Sequence, residues 1–147
     1  MHTRYQITLN KSFPEYRATD GQHFVTPQRL NQAVHKATCL FAMKRPEYMR
    51  VFRNHAANHH RCKRQSVKFC PLSSSQSRIR KARLYDSGLY FGETDGVQIW
   101  ISQSTPMSFA EIVGTLIHEE LHCFCRARGR YLAASSDHRC MKTLGDV

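Results

Sequence analysis

The chain has 147 residues, with 22 Lys or Arg against 11 Asp or Glu, a formal charge of +11, and six cysteines. That length suits one domain with a single core, expected to span residues 1–147 as a monomer. No stretch approaches the ~18 unbroken apolar residues of a membrane helix, and the cysteines form neither a CxxC pair nor a secreted-scaffold pattern, so no membrane span and no zinc ribbon are expected. The opening MHTRYQITLN has no apolar signal core, which points to a cytoplasmic or nuclear setting with reduced thiols.

The N-terminal RYQITL (4–9) alternates Tyr5, Ile7 and Leu9 and reads as a short strand, followed by a turn at Asp20-Gly21. Thr26-Pro27 starts a helix, with Thr26 as N-cap and Pro27 in the first helical position. Leu30, Ala33, Val34, Ala37 and Phe41 recur along it at helical spacing. Pro46 is expected to break this helix and open another carrying Tyr48, Val51 and Phe52. His55, His59, Cys62 and Cys70 form a possible second zinc set, but they lack a knuckle and sit among Arg and Lys, so the favoured reading is a basic helix end. Residues 62–83, basic and serine-rich, read as a long surface loop within the domain.

The charge is concentrated. Between Pro27 and Leu84 stand 14 Lys or Arg and one acid, Glu47. An excess this local suggests DNA or RNA as a partner, with an acidic protein or a membrane surface second; the competing reading is a solvated basic face.

In residues 82–102 two β-rich runs flank Asp95-Gly96, a hairpin signal. Val97, Ile99 and Ile101 alternate with Gln98, Trp100 and Ser102, as in a half-buried strand. Ser108 and Glu111 form a capping box that starts a helix reaching about Arg128, with Gly129 beyond its end. A second short helix is expected after Ser135-Ser136-Asp137.

The helix after Ser108 contains His118-Glu119-Glu120-Leu121-His122, an HExxH pattern expected by chance in roughly 2% of shuffled chains of this composition. At 100° per residue, His118 and His122 lie ~40° apart on one face, so both imidazoles can reach one ion. Glu119 projects beside them, where a general base belongs, while Ile112, Val113, Leu116, Ile117, Leu121 and Phe124 cover the other side. The histidine face is expected to line a cleft. A catalytic zinc needs a third protein ligand. A metzincin-type continuation fails because Cys125 and Arg128 replace its Gly and His, and no Glu follows Glu120. His138 is assigned as that ligand, Asp137 is the alternative, and Cys125 is read as a buried thiol. Glu120 falls in the apolar arc and needs a partner, for which an arginine such as Arg80 or Arg83 is a candidate; the alternative is that this arc reaches solvent.

Residues 84–146, with HExxH and the spaced histidine, resemble the SprT-like metalloprotease family, which includes Spartan. In that family a histidine a similar distance downstream is the third ligand, usually followed by Gly, where this chain has Arg139. The resemblance implies a zincin-like peptidase with a shallow, open site. The expected fold is α+β: N-terminal helices, a short, mostly antiparallel sheet, a central HExxH helix and a short ligand-bearing C-terminal helix. The expected activity is zinc-dependent peptide hydrolysis with Glu119 as general base and His118, His122 and His138 as ligands, with nucleic-acid-associated proteins as candidate substrates. The strand at Ile99–Ile101 would then pair with an extended substrate. Two other readings compete: a non-enzymatic zinc-stabilised nucleic-acid-binding domain, and a secreted or injected effector protease.

Overall fold

The computed structural model describes residues 21–59 and 77–125. The expected strand at 4–9, most of the basic loop, the helix end at Arg128, the short helix after Asp137 and His138 itself lie outside the described residues. The architecture is α+β. Helix α1 (Pro27–His59) is followed by a single 3-10 turn (Ile79–Lys81), strands β1 (Arg83–Tyr85), β2 (Gly92–Thr94) and β3 (Ile99–Ser102), and helix α2 (Phe109–Cys125). Among the described residues no helix is long and apolar enough to cross a membrane.

Helix α1 begins as its sequence dictates. Thr26 Oγ1 accepts from the Arg29 amide at 3.2 Å, and the Thr26 carbonyl takes the first helical bond from Leu30. Leu30, Ala33, Ala37, Leu40 and Phe41 form its buried stripe. The expected break at Pro46 does not occur: the helix runs through it. Pro46 cannot donate to the Ala42 carbonyl, an ordinary reason for a helix to stop. Here Phe41 and Tyr48, one on each side of it, are both buried and in ring contact at 5.5 Å. Burial of apolar side chains on both sides of the proline outweighs one missing backbone bond.

The three strands form one mixed sheet in the order β1-β3-β2. β2 and β3 make the antiparallel hairpin signalled by Asp95-Gly96: Gly96 has φ 92°, and Asp95 Oδ1 accepts from the Val97 and Gln98 amides, both at 2.8 Å. β1 pairs with β3 in parallel, Leu84 opposite Ile101. The β-rich run before the hairpin is therefore two strands, parted at Asp86-Ser87-Gly88. Polar side chains there knit the ends of β1 and β3 together. Ser102 Oγ donates to the Ser87 carbonyl at 2.6 Å, and Gln103 Nε2 donates to Asp86 Oδ1 at 2.8 Å.

This order places β3 in the middle, with both edges hydrogen-bonded, so the expected pairing of Ile99–Ile101 with a substrate strand is ruled out. The sheet edges are β1 and β2. Ile99 and Ile101 turn inward, fully buried with Met107, Ile112, Leu116, Ile117 and Leu121. Helix α2 packs between the sheet and α1 as the centre of this core.

Candidate metal centre

The capping box sets the start of α2. The Glu111 amide donates to Ser108 Oγ and the Ser108 amide donates to Glu111 Oε1, each at 3.1 Å. Gln22 Nε2 donates to the same carboxylate oxygen at 3.0 Å. Arg29 bonds the His23 and Met107 carbonyls across the bridge that joins those two residues. The entry to α2 is thus fastened to the chain before α1.

Two contacts fix how α2 faces the sheet. A Cβ on Gly92 would lie 2.7 Å from Thr115 Cγ2, and Thr94 Oγ1 lies 3.5 Å from Cys123 Sγ. Thr115 and Cys123 are each four residues from Glu119, so helix geometry turns Glu119 toward edge strand β2. His118 and His122 emerge further round the same side. Their Nε2 atoms are 3.1 Å apart, with ring centroids 4.8 Å apart and planes at 79°.

Ligand atoms of His118, Glu119 and His122 all lie within 4.8 Å of one another, and this group could hold a metal ion. The donor set fits: two imidazole nitrogens bound at 2.0–2.1 Å in tetrahedral geometry would stand roughly 3.3 Å apart, close to the observed spacing. Among the described residues it is the one such group of His, Cys, Asp or Glu. The side chains of His55, His59, Cys62, Cys70, Cys125, Asp137 and His138 lie outside the described residues.

The three members are 3%, 5% and 4% exposed, so the group is enclosed, where a cleft was expected. Helix α2 is buried along the rest of its side chains from Ala110 to Cys123 as well, packing against α1, β2, β3 and the 3-10 turn. The Tyr85 phenol is held above its ordinary pKa, first by burial, then by the carboxylates of Glu93 and Glu119, against an opposing effect of Ser87.

Glu120 is fully buried, as its place in the apolar arc requires. Its partner is a backbone group instead of Arg80 or Arg83: the Arg78 amide donates to Oε1 at 3.0 Å and to Oε2 at 3.2 Å. Burial raises its pKa. The Ser77 hydroxyl, the Arg78 amide and the charges of Arg78 and Arg45 act against that rise. Ser77 Oγ lies near the carboxylate but completes no hydrogen bond of standard geometry. Sequence gave no sign that the amide just before a 3-10 turn would be the partner, because that bond spans 42 residues.

No known protein family matches the chain, and neither a curated protein nor a solved structure matches it.

Proposed function

We propose that the chain is a zinc metallopeptidase of the HExxH type, related in mechanism to the SprT-like enzymes that residues 84–146 resemble. The observation that carries this reading is the convergence of two Nε2 atoms 3.1 Å apart beside a buried glutamate on one capped helix. His118 and His122 hold the ion, with His138 as the third ligand. A zinc ion held there supplies a Lewis acid that makes water nucleophilic near neutral pH. Glu119 accepts the proton of the attacking water and delivers it to the departing amine. Enclosure of Glu119 strengthens its electrostatic action and keeps bulk water from competing for the proton. A site that used zinc only to hold the fold would have no need of a carboxylate at this position.

The test is cleavage of casein or histone by the zinc-loaded chain. Glu119→Gln should retain zinc and lose at least ~10²-fold in rate, the usual contribution of a general base. Cleavage by that variant at the parental rate contradicts the assignment.

A further inference from the structure

We propose that Cys123 is a positioning residue of the metal centre: its thiol donates to Thr94 Oγ1 and so fixes the rotation of α2 that directs His118, Glu119 and His122. This role rests on the reading of His118 and His122 as ligands and not on peptide cleavage. Cys123 follows His122 directly, yet it lies on another side of the helix. At 100° per residue it stands ~40° from Glu119 and ~140° from His118, on the side that meets β2. Its Sγ is 3.5 Å from Thr94 Oγ1, and the two residues are 4% and 7% exposed.

The direction of the bond follows from the hairpin turn. Thr94 Oγ1 lies 2.7 Å from the Gln98 carbonyl oxygen, which can only accept, so the hydroxyl proton points there. The same oxygen accepts from the Gly96 amide at 3.0 Å. Toward Sγ it is therefore an acceptor again, and the Cys123 thiol is the donor. The turn itself is stiff: Gly96 has φ 92°, Asp95 Oδ1 accepts from the Val97 and Gln98 amides, and Thr94 ties it from the other strand. A fixed turn thus presents an oriented acceptor to α2.

At the other end of the same helix row Thr115 abuts Gly92, where a Cβ would lie 2.7 Å from Thr115 Cγ2. Thr115 and Cys123 are eight residues apart, ~12 Å along the axis, with Glu119 midway. Held at both points, α2 cannot turn about its axis without stretching the thiol bond and shifting the Thr115 contact. A turn of ~10° would move a side-chain tip ~6 Å from the axis by ~1 Å, enough to spoil coordination and proton transfer alike. The 3.1 Å spacing of the two Nε2 atoms belongs to one helix and survives such a turn. What changes is where the pair and Glu119 point relative to the rest of the protein. The competing role is packing alone, since a buried cysteine acts as a small apolar residue. Serine separates the two, because it keeps a donor and lacks the sulfur.

The experiment is titration of the metal-free full chain with cobalt(II), read by the visible spectrum and by competition with a chelator. Cys123→Ala should weaken cobalt binding by about 10-fold and alter the spectrum, the usual effect of losing a group that orients metal ligands. Cys123→Ser should restore the parental affinity and spectrum. Thr94→Val should weaken binding alone and cost less when Cys123→Ala is already present, because the bond is lost only once. Parental affinity and spectrum in Cys123→Ala would overturn the proposal. So would a serine variant no better than alanine, which would assign packing, or additive losses in the double variant. A chain that binds cobalt as stated but leaves casein intact loses the peptidase reading and keeps this one. Casein cleavage with unchanged cobalt binding in Cys123→Ala overturns this one alone.

Discussion

Gly92 is where edge strand β2 touches the helix that carries the histidines, and its replacement tests how closely the two are packed. A Cβ there would meet Thr115 Cγ2 at 2.7 Å, the Trp100 carbonyl oxygen at 2.8 Å and Ile101 Cδ1 at 3.1 Å. The first two distances are too short for carbon, and Trp100 belongs to the central strand, whose backbone cannot easily yield. Overpacking of this kind costs about 1–3 kcal/mol. The lower entropy of an unfolded chain with Ala returns about 0.4–1 kcal/mol. Gly92→Ala should therefore destabilise by about 1–2 kcal/mol, read as the urea midpoint of the metal-free protein at unchanged slope. Thr115→Ser removes the closest methyl and keeps the hydroxyl that donates to the Glu111 carbonyl. In the double variant the two changes should couple favourably by about 0.5–1 kcal/mol, short of full rescue because the Trp100 carbonyl remains. A Gly92→Ala protein as stable as the parent, or additivity with Thr115→Ser, would refute the close approach of helix and strand.

Pro46→Ala restores a donor to the Ala42 carbonyl in an exposed stretch of α1 and should raise stability by about 1–3 kcal/mol by urea unfolding; a loss would show that the proline's geometry is needed there. Glu120 carries a raised pKa in the folded state, so its contribution to stability is greatest below the ordinary carboxylate pKa and is lost as pH rises through the raised value. Glu120→Gln removes that dependence, and its stability relative to the parent should improve from pH 5 to pH 8 in metal-free protein. Parallel profiles for the two proteins would contradict the assignment.

Local signals in the sequence were legible wherever the physics is local. The Thr26-Pro27 start, the Ser108–Glu111 box and the Asp95-Gly96 turn all form as their residues dictate. The His118-Glu119-His122 group follows from helix periodicity alone. What sequence could not give is set by long-range contact. The parallel pairing of β1 with β3 depends on polar bonds between Asp86-Ser87 and Ser102-Gln103. Helix α1 passes through Pro46 because Phe41 and Tyr48 are buried together, and the partner of Glu120 arrives from a distant backbone amide. Enclosure of the histidines is likewise a property of the assembled layers, since a helix pattern shows which side is apolar but not how completely the other side is covered.

The central claim is that His118 and His122 grip one divalent ion, and metal titration tests it most directly. Zinc binding to the metal-free chain, followed by competition with a chromophoric chelator, should give a single tight site that Glu119→Gln retains and that His118→Ala and His122→Ala each weaken by several orders of magnitude. Unchanged zinc affinity in both histidine variants would contradict the account.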